Sequence, residues 1–143
     1  MQVAAILKEK GGEVVTANSD DTVAEITKVL MKEGIGAVVV TGAGGKVAGI
    51  LSERDIVRAI PDKGAKILEA RVGDLMTRDV VTCTPDMLVD EVRKQMTDGR
   101  FRHMPVVVDG KLAGIISVGD VVKQRLGELE AEAGALRSYI ASG

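Results

Sequence analysis

The chain has 143 residues and a formal net charge of -2, which suits one compact domain or two intimate half-domains burying roughly two-thirds of the unfolded surface. That charge supplies no positive field to gather DNA or RNA, and Phe101 and Tyr139, the only Phe, Tyr or Trp residues, cannot form a stacking platform for bases. A lone Cys83 excludes an intrachain disulfide and suits a reducing compartment, Met1 to Lys8 lacks the pattern of a signal peptide, and no run nears the ~20 apolar residues that span a bilayer, so a cytoplasmic protein without a membrane partner is expected.

In chain order, Val3, Ile6 and Leu7 predict a short amphipathic turn. Glu13 to Ala17 reads as a brief strand. Val23, Ile26, Val29 and Leu30 keep helical spacing. That helix should start at Thr22, with Glu25 completing a capping box, and stop at Gly34. Ala37 to Val40 is a strand turning through Gly42-Ala43-Gly44-Gly45 into a second, Val47 to Leu51. Their near-continuous apolar character predicts a sheet covered on both faces. A helix opens at Ser52, and Pro61 to Arg71 reads as a linker.

The order then begins again. Val72, Leu75 and Met76 form a short amphipathic turn, Asp79 to Cys83 a strand, and Val89, Val92 and Met96 a helix. Leu88 stands where Thr22 stood, so Asp86 is expected to cap. Pro105 to Val108 turns through Asp109-Gly110, a strong hairpin signal, into Leu112 to Ile116, and a helix opens at Ser117. Beyond it Val122, Leu126, Leu129, Ala133, Leu136 and Ile140 have the a/d spacing of a helix seam, packed either on its own domain or on a second copy. Gly127 and Gly134 weaken a long free helix there.

The two passes match residue by residue. Val14-Val15-Thr16, Asp20, Val23, Glu25 and Lys28 recur at an offset of 66 as Val80-Val81-Thr82, Asp86, Val89, Glu91 and Lys94. Lys46 to Asp55 is answered by Lys111 to Asp120. A duplication of this size predicts pseudo-twofold symmetry, two halves sharing one core, and a pair of related clefts. The fold class is α/β (α+β), with two β-α-β-β-α repeats. We assign residues 1–62 to repeat 1, 63–71 to a linker, 72–126 to repeat 2 and 127–143 to a C-terminal helical tail.

The most specific element is Gly-apolar-apolar-Ser-x-x-Asp after a strand. It occurs as Gly49-Ile50-Leu51-Ser52-Glu53-Arg54-Asp55 and as Gly114-Ile115-Ile116-Ser117-Val118-Gly119-Asp120. With the Val-Thr openings and the segment Arg102-His103-Met104-Pro105-Val106-Val107, the chain resembles the cystathionine-β-synthase (CBS) domain family, as a free-standing tandem pair or Bateman module, from Val3 to Leu126. The resemblance implies up to two adenine-nucleotide sites in clefts between the repeats, a dimeric disc, and a sensing or regulatory role without catalysis.

Each candidate residue also has a local reading. Ser52 with Asp55, and Ser117 with Asp120, look like helix caps favoured by the helix dipole. The resemblance implies instead that each Asp accepts hydrogen bonds from a ribose diol, with Ser and the helix N-terminus serving phosphate. Arg100, Arg102 and His103 read either as a solvated turn or as a phosphate clamp. Repeat 1 has Gly34-Ile35-Gly36-Ala37 there, so the two clefts should not bind equally. Arg54, facing Gly119 in register, is a cleft cation or an exposed helix residue. Thr16 and Thr82 have ordinary β-propensity. The resemblance implies that they touch base and sugar, with Asn18 and Thr84 beside them, and it brings Met104 and Pro105 into the ligand-binding set. The expected arrangement places adenine in an aliphatic slot, ribose on Asp120 and Asp55, and phosphate on Arg102 and His103. The ligand expected first is AMP, with ATP or NAD(H) as alternatives.

Catalysis is not expected. His103 and Cys83 lack an orienting third group, Cys83 reading as a buried small hydrophobe. One His and one Cys cannot make a structural zinc site unless carboxylates join. A Walker sequence is absent, and Gly42-x-Gly44 lacks the third Gly of a dinucleotide fingerprint, Val47 standing there. No catalytic cofactor follows, and a homodimer and an unidentified protein target are the partners implied. The alternative is a homodimeric docking protein that binds no ligand.

Overall fold

In the computed structural model, which describes residues 1–142, both halves of the chain fold in nearly the same order. The first comprises α1 (Val3–Lys10), β1 (Thr16–Ala17), α2 (Val23–Glu33), β2 (Ala37–Thr41), β3 (Val47–Ser52) and α3 (Glu53–Lys63). A 3-10 turn over Gly64–Glu69 leads to α4 (Val72–Leu75), α5 (Val89–Gly99), β4 (His103–Val108), β5 (Lys111–Ser117) and α6 (Val118–Ser142).

β2 lies between its neighbours, parallel to β1 (Thr16 beside Val39) and antiparallel to β3 (Ala37 beside Ser52). β4 and β5 pair in the matching register, His103 beside Ser117. The opening strands are shorter than expected. In repeat 2 only Cys83 bridges the sheet: it donates its N–H to the Pro105 carbonyl (3.0 Å) and accepts from the Val107 N–H (2.9 Å). Upstream, the Val80 N–H turns back to the Arg78 carbonyl (3.0 Å) and is lost to any ladder.

Local signals decide most boundaries. Gly34 ends α2 in the left-handed region at φ 65°. Asp109 and Gly110 both have positive φ, 52° and 76°, as a type I′ hairpin requires. The Thr22 hydroxyl accepts the Glu25 N–H (3.2 Å); no return bond from Glu25 is formed, so half of the expected capping box is present. Asp86 does not cap α5, because its carboxylate accepts the Thr84 hydroxyl instead. The Val89 N–H finds the Met1 carbonyl (2.9 Å), just as the Val23 N–H finds the Ala70 carbonyl (2.9 Å).

Those two bonds reveal a reciprocal exchange. α1 docks on the second half, with Val3 and Ala4 donating to the Met87 and Pro85 carbonyls. α4 docks on the first, with Val72 and Gly73 donating to Asp21 and Ser19. The halves therefore do not share one core. Val72 and Met76 are buried with Val23, Ile26, Val38, Val40 and Leu51. Val3 and Ile6 are buried with Val89, Val92, Met104, Val106 and Ile116. Each cluster is aliphatic, and each needs one helix from the other half.

The motif glycines follow from this exchange. A Cβ on Gly49 would stand 2.6 Å from Met76 Sδ and 2.8 Å from the Thr77 carbonyl oxygen; one on Gly114 would stand 2.5 Å from Leu7 Cδ2. Leu7 and Met76 are the same position of the repeat, so each strand keeps a glycine where the visiting helix lands.

The linker is more structured than its composition suggests. α3 runs through Pro61, and Ile67 of the 3-10 turn joins the first cluster. α6 continues unbroken through Gly127 and Gly134. Only its Val121 is buried; Val122, Leu126, Leu129, Leu136 and Ile140 are exposed, so the seam does not pack on its own domain.

Candidate functional site

A cleft of about 530 Å³ opens between the halves. Its wall from the first half is the start of α3, where Ser52, Glu53, Arg54, Asp55 and Arg58 stand beside Ile50 and Gly36. The second half contributes Thr77, Asp79, Val80 and Val81 after α4, then Arg100, Phe101, Arg102 and His103 between α5 and β4. The volume lies within the range of small-molecule sites. Ile50, Val80, Val81 and Phe101 give it an apolar side.

Ser52 is the N-cap of α3. Its hydroxyl accepts the Asp55 N–H (3.3 Å), while its own N–H (2.9 Å) and hydroxyl (3.1 Å) donate to Asp55 Oδ2. The cap thereby fixes the carboxylate at the cleft wall, and Oδ1 is approached only by the Thr77 hydroxyl at 3.5 Å. Capping and an outward-facing acceptor coexist in one side chain.

Four arginines line the cleft, Arg54 and Arg58 on the same helix as Asp55, and Arg100 and Arg102 on the facing half. Among the described residues none of them forms an ion pair or a side-chain hydrogen bond. Three carboxylates, Glu53, Asp55 and Asp79, line the same space. Unpaired guanidiniums converging on a concave site are a receptor for an anion, since each offers a planar fork of donors. Arg100 is notable for its backbone: it caps α5 at φ 55°, ψ 41°, where Gly34 caps α2 at φ 65°, ψ 38°. A left-handed non-glycine residue costs roughly 1 kcal/mol or more, and here it carries a cation into the cleft.

His103 is half-buried. Burial, then the charge of Lys10, pushes its pKa below the usual histidine value, with Glu53 and Asp120 acting in the opposite sense. Near pH 7 its ring is therefore a neutral donor and acceptor, and positive charge comes from the arginines.

The remaining sequence candidates lie elsewhere. Ser117 and Asp120 form the equivalent cap on α6, with Asp120 Oδ2 receiving the Ser117 N–H (2.8 Å) and hydroxyl (3.0 Å). They are not part of the cleft lining. Met104 and Pro105 are fully buried in β4. Thr16 and Thr82 are exposed, and Asn18 donates its N–H to Asp21 Oδ2 (2.9 Å) in the turn before α2; none of the three lines the cleft. Thr77, Arg58, Asp79, Val80 and Val81 were not singled out by sequence reasoning. Arg58 carried a signal, standing one helical turn after Arg54. Thr77 carried none, because its place depends on α4 crossing to the other half. Cys83 is buried, which pushes its thiol up to about 11; a nucleophilic thiolate is not available there.

The family model for the CBS domain matches residues 5–62 and 72–127. The chain belongs to the CBS-domain family, as a tandem pair. It is similar to the CBS-domain protein ATU1752 from Agrobacterium tumefaciens, with 47% identity and a TM-score of 0.84 over 87% of this chain and 99% of that one. The mitochondrial CBS domain-containing protein CBSX3 of Arabidopsis thaliana is 36% identical over 99% of this chain and 72% of its own length. The CBS domain pair of MJ0100, solved in complex with 5'-methylthioadenosine and S-adenosyl-L-methionine, is 28% identical with a TM-score of 0.80, over 90% of this chain and 98% of that one. No helix among the described residues is long and apolar enough to cross a membrane.

Proposed function

We propose that this CBS pair is a non-catalytic regulatory module that binds an adenine nucleotide in the cleft walled by Asp55. The observation that carries the reading is the meeting, in one cleft, of a fixed carboxylate with four arginines lacking ion-pair partners. Asp55 Oδ1 accepts from the ribose diol, the apolar side formed by Ile50, Val80 and Val81 receives adenine, and Arg54, Arg58, Arg100 and Arg102 receive phosphate. His103 contributes a neutral hydrogen bond. Because both halves line the cleft, a ligand draws them together, and it shifts the module toward whichever arrangement it binds better. The similar MJ0100 pair, with its adenosine-containing ligands, supports the chemical class. AMP, ATP and NAD(H) all belong to that class and differ in the phosphate that the arginines would meet.

In this reading the module is homodimeric and signals through a protein target. The exposed apolar seam of α6, with Val57 and Ile60 exposed on α3, supports association. A cytoplasmic setting remains part of the proposal, on the strength of the single thiol.

The test is thermal unfolding with millimolar AMP, ATP, NAD, NADH or GTP. A ligand at 100 times its Kd adds about 2.7 kcal/mol, so an adenine nucleotide raises the Tm by several degrees, and Asp55→Asn removes the shift. No shift with any nucleotide would leave the docking-protein reading in its place.

A further inference from the structure

The two Ser-x-x-Asp carboxylates are not equivalent, and the difference begins in the connection after each opening helix. Leu7 and Met76 are 69 residues apart, whereas Val14 and Val80 are 66 apart. The first connection is thus three residues longer. In the second half, α4 stops at Leu75, and Thr77 exchanges two backbone hydrogen bonds with Ile50, at 3.0 and 2.9 Å. In the first half α1 runs on to Lys10, four residues past the position where α4 stops. Lys10 Nζ then donates to the Ile115 carbonyl (2.9 Å), the counterpart of the Ile50 carbonyl, and to Asp120 Oδ2 (2.7 Å). With the Ser117 N–H and hydroxyl, that single oxygen receives three donors, one of them a cation.

The surroundings agree. In repeat register, the counterparts of Arg54, Arg100 and Arg102 are Gly119, Gly34 and Gly36. The first carboxylate shares its cleft with arginines that have no ion-pair partner; the second already holds a cation from its own chain, and of the four matching positions only Lys123, the counterpart of Arg58, is charged. Neutral ribose hydroxyls are weaker donors than an ammonium at 2.7 Å, and the Lys10 head group, bound to the Ile115 carbonyl as Thr77 is to Ile50, stands beside the carboxylate they would approach.

We propose that Lys10 is a built-in occupant of the Asp120 position, so that nucleotide binds at the Asp55 cleft alone and Lys10 sets the stoichiometry at one per chain. The inference rests on the nucleotide reading above. It is tested by isothermal titration with ATP and, separately, AMP, on the wild type, Lys10→Met, and Lys10→Met combined with Asp120→Asn. Met keeps the aliphatic stem of Lys10 and removes the charge, and Lys10→Gln serves as a second variant should Lys10→Met fold poorly.

The wild type should bind one nucleotide per chain, Lys10→Met two, and the double variant one again. Two sites in the wild type, or one site in both charge-removing variants, would overturn the role of Lys10 while leaving the nucleotide reading intact. No binding by any protein would remove the nucleotide reading, and this inference with it. A ligand-free readout tests the contact itself: the Asp120 carboxyl, followed by NMR, should titrate higher in Lys10→Met than in the wild type, and an unchanged titration would count against the contact.

Discussion

At the scale of single residues, one side chain here often does two jobs, and the two can be separated by substitution. Asp55 caps α3 with one oxygen and turns the other, met only by the Thr77 hydroxyl at 3.5 Å, to the cleft; Arg100 ends α5 in a conformation suited to glycine and carries charge. Arg100→Gly should therefore relieve about 1 kcal/mol of strain and raise the Tm by about 3 °C, while weakening nucleotide binding about ten-fold by removing a charged donor. A calorimetric scan beside a binding titration checks both signs. Burial pushes His103 below the ordinary histidine pKa, so the unfolded chain takes up its proton first as pH falls. Stability present above about pH 6.5 should decline below it, and His103→Gln should flatten that slope in urea titrations at pH 5.5, 6.5 and 7.5. Cys83, 2% exposed and with its thiol pushed up to about 11, should resist iodoacetamide in the native state and react on unfolding. The Ser-x-x-Asp caps were legible because capping is a local interaction. The partners of each Asp were not, since Thr77 and Lys10 reach them from segments distant in sequence.

At the scale of elements, the exchange of α1 and α4 organises the molecule. It explains why both strands that end in Ser-x-x-Asp carry glycine, and it separates the two by cost. Gly49→Ala meets a backbone carbonyl as well as Met76, whereas Gly114→Ala meets the end of a leucine side chain. Overpacking costs about 1–3 kcal/mol; we expect Gly49→Ala near the top of that range and Gly114→Ala near the bottom, as read from urea midpoints. Helical spacing found α2, α5 and the tail of α6, the Ser-x-x-Asp signals placed the starts of α3 and α6, and turn residues found both hairpins, while the eight-residue α1 read only as a short turn. The sequence pattern overestimated the opening strands, because an apolar run of five residues does not disclose how many of its N–H groups meet a neighbouring strand. It also missed the cap of α5, which comes from the Met1 carbonyl and not from a side chain.

At the scale of the whole molecule, charge and exposure direct attention to α6. Its seam of Val122, Leu126, Leu129, Leu136 and Ile140 is exposed along a single 25-residue helix, and two interior glycines cost about 1 kcal/mol each relative to alanine. A contact with a second copy would offset that cost. Truncation after Gly127 should then shift the mass measured by light scattering from dimer to monomer at 0.15 M salt, and an unchanged mass would assign the seam to another partner. By itself the sequence determined that the chain is duplicated, that its core is aliphatic, that Ser-x-x-Asp opens the helix after each hairpin, and that the cations before β4 have no counterpart in the first half. These properties are local or periodic, so composition and spacing carry them. Only the tertiary structure decided which half receives which opening helix, that Arg100, Arg102 and His103 line the cleft walled by Asp55, and that Lys10 reaches Asp120. Those outcomes depend on where the chain crosses between the halves, and a three-residue difference in one connection is enough to change what each carboxylate meets.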